Sequence, residues 1–342
     1  MTSPYSASLR NAPAPFVSVI LSFFNEEAVL PELIRRLRQV MRDAHTQGVI
    51  TGYELIFVND SSTDQSLNIL RTEFEAQRDL VVINMSNNFG VSECVLAGMR
   101  HSIGDIVVYM DADLQDPPEV IPELLTKWHS DPEVDVVYTT RLSRAGEHPL
   151  KLLITKLGYK FINAISEIEL PENSGDFKLL SRRVVDQLIK MPEKKPYLRG
   201  LVSWIGFKQV QVFYHRAERL DGSENTKRPA FGLGVINYAL DSAIISFSDA
   251  PLKAMLAMGF ALSSISLLYI SVVILQKIMG WYEPGWPALM AAILLLGGIQ
   301  LMTLGVVGLY INIIFLNSKG RPDYIIRSVI AKDGRNQPEN GH

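Results

Sequence analysis

The sequence predicts an α/β domain built on a doubly wound, mostly parallel sheet, followed by membrane-interfacial helices and two C-terminal transmembrane helices. Three observations carry that expectation. Short apolar runs rich in β-branched residues alternate with helical stretches from Phe16 to Thr139. Polar clusters fall just after those runs, at Ser22 to Glu26, Asp60 to Asp64, Asp111 to Gln115 and Arg141. Charges are frequent up to about Lys253 and then nearly vanish until Lys319.

Residues 1–15 are polar and rich in Ser, Ala and Pro, with no apolar stretch of the kind a secretory signal needs, and are expected to form a loose tail. Phe16 to Ser22 reads as a first buried strand, followed by a helical stretch to about Arg42. Tyr53 to Asn59 is a second strand, ending in Asp60-Ser-Ser-Thr-Asp64, which offers a turn and then a helix cap. Leu80 to Met85 is a third, with Asn87 to Gly90 as a loop before an amphipathic helix at Val91 to Arg100. Ile106 to Met110 and Val134 to Thr139 are the fourth and fifth. No GxGxxG fingerprint follows the first strand, which disfavours a dinucleotide site.

The chain is organised around Asp105 to Glu119. A buried strand breaks into Asp111-Ala-Asp113, and Pro117-Pro118 opens a helix at its first turn. Carboxylates just past such a strand lie in the crevice where α/β sheets bind ligands. Two hard oxygen ligands there suit a divalent cation facing a diphosphate. A lone Asp-x-Asp would also fit a solvated turn; four polar clusters on one rim favour a site.

The 342 residues suffice for one large or two ordinary domains, and 33 basic against 36 acidic side chains give no field pointing to nucleic acid. The single cysteine, Cys94, cannot form an internal disulfide, fits a reducing compartment and is expected to be a packed, inert thiol rather than a nucleophile. Ala254 to Leu275 and Ala288 to Leu316 are uncharged and apolar, each longer than the roughly 20 residues that cross a bilayer. Lys319, Arg321, Arg327, Lys332 and Arg335 follow the second stretch, whereas Lys277 stands alone between the two. That bias predicts both termini in the cytoplasm. Leu150 to Ile168 places apolar residues at helical spacing with Lys151, Lys156 and Lys160 among them, as in a helix lying on an anionic membrane; a core-packed helix with a lysine face is the alternative. Gly232 to Phe247 is a second such candidate.

These motifs resemble a known family. Ser22-Phe-Phe-Asn25-Glu26-Glu27 resembles the P-x-Y/F-N-E opening of GT-A-type inverting glycosyltransferases, and Asn59-Asp60-Ser61-Ser62-Thr63-Asp64 their V-D-D-G-S-x-D loop. Asp111-Ala-Asp113-Leu-Gln115-Asp-Pro-Pro-Glu119 resembles their extended Asp-x-Asp motif. Ser174-Gly-Asp176-Phe-Lys178-Leu-Leu is similar to the G-D-F-R-L segment of the polyisoprenyl-phosphate branch, which includes dolichol-phosphate mannose synthases and bacterial undecaprenyl-phosphate glycosyltransferases. The two C-terminal spans and Lys319-Gly-Arg-Pro-Asp-Tyr324 resemble the two-span bacterial members. The sequence departs from the pattern at Ser22, where Pro is common, and at Asn59 and Ser61, where Asp and Gly are frequent. The stretch Arg219 to Pro229 also carries extra residues relative to R-x-x-G-x-[ST]-K.

The resemblance implies roles. Asp111, Asp113 and Gln115 would hold Mg2+ or Mn2+, which neutralises the departing diphosphate of a nucleotide sugar. Ser22, Asn25, Glu26, Asp60 and Asp111 would bind the donor. Arg141, Lys156, Lys178, Arg219 and Lys227 are candidates for the acceptor's phosphate. Asp176 would position the acceptor or act as base, or else orient Lys178 or Arg141. Asp111, Asp113 and Asp176 are thus the expected catalytic set. The domain plan is a catalytic domain at 16–230, a juxtamembrane helix at 231–250, a two-helix membrane domain at 251–316 and a cytoplasmic tail at 317–342. The expected activity is inverting transfer of a hexose, with glucose from UDP-glucose the specific expectation, to undecaprenyl or another polyprenyl phosphate at the cytoplasmic face of a bacterial inner membrane. The expected assembly is a homo-oligomer. Alternatives are another sugar, such as mannose or an aminoarabinose type, on the same lipid, a non-catalytic membrane scaffold, and a processive polysaccharide synthase, which two spans and the lack of a Q-x-x-R-W motif disfavour.

Overall fold

The computed structural model describes residues 13–142, 174–191, 193–194, 196–217, 250–281 and 285–332. The segment 150–168 with Lys156, the loop with Arg219 and Lys227, and the stretch 231–249 lie outside the described residues. The chain divides into two compact units, one carrying the sheet and the other the long C-terminal helices.

The sheet unit begins as expected. β1 (Phe16–Phe23), β2 (Gly52–Asn59), β3 (Leu80–Met85), β4 (Ile106–Asp111) and β5 (Val134–Arg141) alternate with α1 (Leu30–Thr46), α2 (Ser66–Gln77), α3 (Val91–His101) and α4 (Ile121–His129). A single 3-10 turn, Pro118–Val120, precedes α4. Then come β6 (Ser174–Ser181), α5 (Arg182–Leu188), α6 (Leu198–Trp204) and β7 (Lys208–Tyr214). α7 (Ala250–Ile278), α8 (Trp286–Ser318) and β8 (Ile326–Ile330) complete the described chain.

All eight strands join one sheet in the order β7-β5-β6-β4-β1-β2-β3-β8. β1 runs parallel to β2 and β4, and β2 to β3. In-register pairing sets Phe23 opposite Asn59 and Ser22 opposite Asp111, so three motif-bearing strands end on one line. The central strands are buried on both faces, as parallel strands covered by helices must be. Val17, Val19 and Leu21 pack with Leu33, Leu37 and Met41 of α1 and Leu124 of α4 on one face. α3 covers the other so closely that a Cβ on Gly98 would stand 2.4 Å from Cγ2 of Ile20.

Two features differ from the sequence expectation. The fifth strand does not follow the fourth in space: β6 inserts antiparallel between β4 and β5. Its residues were read only as a motif, because Ser174-Gly-Asp-Phe-Lys interrupts the apolar run that marks a strand. The region after the second span is also more than a tail. β8 pairs antiparallel with β3, the Ser86 amide donates to the Ile325 carbonyl at 2.8 Å, and Lys194 Nζ meets Asp323 Oδ1 at 2.7 Å. An added edge strand covers the β3 backbone groups that would otherwise stand open.

In the other unit, the 24-residue stretches Met255–Ile278 and Leu295–Ser318 are long and apolar enough to cross a membrane. Their side chains are exposed, Leu268 and Leu301 at 70% and 72%, as suits helices with lipid for solvent.

Candidate active site

The carboxyl ends of β1, β2 and β4 open into a cleft of about 220 Å³ lined by Ser22, Glu26, Asp60, Cys94, Asp111 and Asp113, with Phe23, Phe24, Val91 and Ala112 completing the wall. Five of the expected site residues thus meet in one cavity.

The loops after β1 and β2 are latched to each other. Asn25, in the left-handed region at φ 56°, donates its amide to Ser62 Oγ at 2.9 Å and accepts from the Thr63 amide at 2.8 Å. Glu26 donates its amide to Ser66 Oγ at 3.0 Å. Glu27 donates its amide to Asp64 Oδ2 at 3.1 Å and accepts from the Gln65 amide at 2.8 Å. The Asn25 side chain therefore fixes the loop, and Glu26 is the member of its motif that lines the cleft. Asp60 is also partly committed: Oδ1 accepts from the Phe89 amide at 2.7 Å and Oδ2 from the Gly90 amide at 3.0 Å, at the start of α3. Its remaining lone pairs still border the cavity. Ser22 Oγ is buried and lacks a partner among the described residues. The Cys94 thiol is fully buried and pushed up by burial and by Asp60, which makes it inert as expected.

Beyond β4 burial alternates: Ala112, Leu114, Asp116 and Pro118 are buried, while Asp111, Asp113, Gln115 and Pro117 are half-buried. Leu114 adopts φ 56°. The odd-numbered side chains thus share the accessible side. Asp113 Oδ1 accepts from the Gln115 amide at 3.1 Å, and the Gln115 carbonyl accepts from the Ala217 amide at 2.9 Å. That second bond ties the chain after β7 to the motif. It brings Arg216 to 3.7 Å from Asp113 Oδ2 and 3.6 Å from Asp116 Oδ1. Asp116, fully buried, accepts from the Tyr214 hydroxyl, which accepts in turn from Arg141 Nε at 3.3 Å.

The residues present fit a divalent cation. Desolvation, then the charges of Asp176, Asp113 and Asp116, push the Asp111 carboxyl up to about 7, which marks a cluster short of positive charge. Among the described residues no three His, Cys, Asp or Glu side chains form a complete metal cage. Two carboxylates sharing an ion with substrate phosphates is the usual Mg2+ arrangement, and Asp111 and Asp113 suit it.

Two expectations change on the acceptor side, for Asp176 and for Lys178. Asp176 is gripped by Arg199 of α6, Nε donating to Oδ1 at 2.6 Å and Nη2 to Oδ2, while Lys178 and Arg141 act on it through their charge. Burial raises its carboxyl, but the Arg199 contact and nearby cations outweigh burial and hold it below the ordinary value, so it is a weak base. Lys178, at 2% exposed, lies under the site and not on its surface, which removes it as a direct phosphate ligand. Arg141 is half-buried over Gly175, where a Cβ would stand 3.4 Å from its Nη2. Arg199, Arg216, Tyr214 and Asp116 went unnoticed in the sequence. Only the Asp116 position, inside the Asp-rich string, carried a local signal.

A mostly parallel α/β sheet with paired carboxylates past its central strand and acid- and hydroxyl-rich loops beside them defines a GT-A transferase. Residues 18–189 match the model of glycosyl transferase family 2, and the chain belongs to that family. It is a glycosyltransferase. It is 41% identical over 311 residues to a glycosyltransferase of Synechocystis sp., covering 91% of this chain and 94% of that protein. It is 36% identical over 313 residues to the bactoprenol glucosyl transferase of Shigella phage SfV, covering 91% and 98%. Among solved structures it is similar to the mannosyltransferase PcManGT of Pyrobaculum calidifontis in complex with GDP-Man and Mn2+, with a TM-score of 0.47 and 16% identity over 94% of this chain and 92% of that one.

Proposed function

We propose that the protein transfers a hexose, glucose from UDP-glucose, to undecaprenyl or a related polyprenyl phosphate with inversion at the anomeric carbon. The observation that carries this reading is the cleft shared by Asp111, Asp113, Glu26 and Asp60 in a chain that also holds two membrane-length helices. The 36% identity to a bactoprenol glucosyl transferase, over nearly the whole of both chains, supports the lipid acceptor and the sugar.

Asp111 and Asp113 would hold Mg2+ or Mn2+, which supplies charge neutralisation for the departing diphosphate. Arg216, 3.7 Å from Asp113 Oδ2, would offer its guanidinium to the same oxygens. Glu26 and Asp60 accept from the nucleoside, and the latch through Asn25 and Glu27 holds them in place. The acceptor phosphate is already anionic near neutral pH, so no strong base is required. A carboxylate at Asp176 paired with Arg199 agrees with that.

The reading includes a catalytic unit and both termini on the cytoplasmic side of a bacterial inner membrane, in a homo-oligomer. It is supported by the cationic residues after the second helix and by β8, which returns the chain from α8 to the sheet unit.

The test uses purified full-length protein in detergent with undecaprenyl phosphate, Mn2+ or Mg2+, and a panel of radiolabelled nucleotide sugars. Label is expected to pass into the organic phase from UDP-glucose, and to stop with chelator or with Asp113→Ala. Transfer from a different donor would replace the sugar. No transfer from any donor by folded protein would leave the scaffold reading.

A further inference from the structure

Two guanidinium groups flank the Gly175–Asp176 step of β6. Arg199 closes on the Asp176 carboxylate with both prongs. Arg141 lies over Gly175 from the end of β5. Lys178 stands one alternation further along the same face of β6, beneath them. One carboxylate therefore sits among three cations, Arg199, Lys178 and Arg141, all of which act on it. Of the three, Arg199 is the one that grips it with two hydrogen bonds.

Position and exposure decide which of these cations an incoming anion meets. The antiparallel register pairs Tyr109 of β4 with Lys178, so β6 runs on toward Ser174 as β4 runs on toward Asp111, and Asp176 lies at the Asp111 end. Lys178 is buried, and Arg141 donates one hydrogen bond, from Nε to the Tyr214 hydroxyl at 3.3 Å. The Arg199 and Asp176 side chains are 32% and 24% exposed. At that exposure an incoming anion can reach the pair from solvent. The guanidinium fork that fits two carboxylate oxygens fits two phosphate oxygens equally well.

We propose that Arg199 takes the phosphate monoester of the acceptor, and that Asp176 holds its place until the acceptor arrives. The identity of that acceptor as a lipid rests on the reading under Proposed function; the chemistry recognised is a phosphate monoester. The exchange forms and breaks no covalent bond. It moves the Arg199 fork from one anion to another and releases the Asp176 carboxylate at the end of the strand that neighbours Asp111.

The test measures binding by calorimetry on full-length protein in detergent micelles, with farnesyl phosphate and inorganic phosphate as probes. UDP-glucose binding with Mn2+ on the same samples reports the fold. Arg199→Gln is expected to weaken farnesyl phosphate by roughly tenfold or more, the loss of one charge-assisted contact. Asp176→Asn is expected to tighten it, because the competing carboxylate is gone. Opposite signs support the exchange; weakening by both variants overturns it. If Arg199→Gln also loses donor binding, Arg199→Lys decides. Weaker phosphate with intact donor binding supports the proposal, and unchanged phosphate affinity overturns it. Arg199-dependent binding of inorganic phosphate without farnesyl phosphate would keep the subsite and remove the lipid acceptor.

Discussion

Arg36 of α1 holds Glu119 with both prongs of its guanidinium, Nε donating to Oε1 at 2.7 Å and Nη2 to Oε2. The hydrogen bond keeps the Glu119 carboxyl below its ordinary value. The pair joins the helix behind the β1 loop to the turn that follows Asp111 and Asp113, so two walls of the cleft are held in one register. Because the pair is partly exposed, we predict that Arg36→Met costs less than about 1 kcal/mol of stability. Its larger effect is expected on the donor, as a raised KM. Thermal melts beside donor titrations check this, and an unchanged KM would show that the pair only decorates the surface.

The latch between the first two loops makes a separate prediction. Glu27→Ala removes the acceptor of the Gln65 amide and is expected to cost about 1 kcal/mol, as for one exposed charge-assisted hydrogen bond. Donor affinity should fall with it, because Glu26 is the adjacent residue. Acceptor affinity should not. Separate titrations of the two substrates distinguish this from a general loss of fold.

Lys178 gives a pH dependence with a definite sign. Burial pushes its ammonium from 10.5 down to about 8. Between those values the unfolded chain binds more protons than the folded one, so stability rises with pH across that window. Below about pH 8 the cost of burying the charge is fully present. Lys178→Met is therefore expected to raise the melting temperature at pH 7, and the difference from the parent protein should shrink steadily from pH 8 to 10.5. A constant difference over that range would count against it.

Truncation after Gly320 removes β8 and the Asp323 partner of Lys194. It leaves the β3 edge open beside strands buried in the sheet. The expected outcome is aggregation and a lowered melting temperature in size-exclusion and melting measurements. A monodisperse, equally stable product would mean that the strand adds nothing to the sheet.

Much of the fold and half of the site were legible in the sequence, and the boundary between the two groups is physical. Ile20, Val58 and Val108 sit in runs whose composition marks buried strands, and Asp111 and Asp113 follow such a run directly. Local pattern therefore places them. β6 was missed because Gly175, Asp176 and Lys178 break the apolar pattern of a strand. β8 was missed because five residues with Arg327 among them resemble any loop. Arg199 and Arg216 lie on segments without a recognisable motif. They reach Asp176 and Asp113 only because β6 and β7 fold back among strands that precede them by many residues.

The sequence by itself determined the alternation of strand and helix, the carboxylate rim and the two membrane-length helices. Each depends on residues close together in the chain, where periodicity and turn chemistry act directly. The tertiary structure alone decided which charges meet. It set Arg199 on Asp176, Arg216 between Asp113 and Asp116, and Lys178 beneath the site and away from its surface. Those contacts depend on long-range strand pairing and on burial, and burial is a property of the packed chain that no single segment carries.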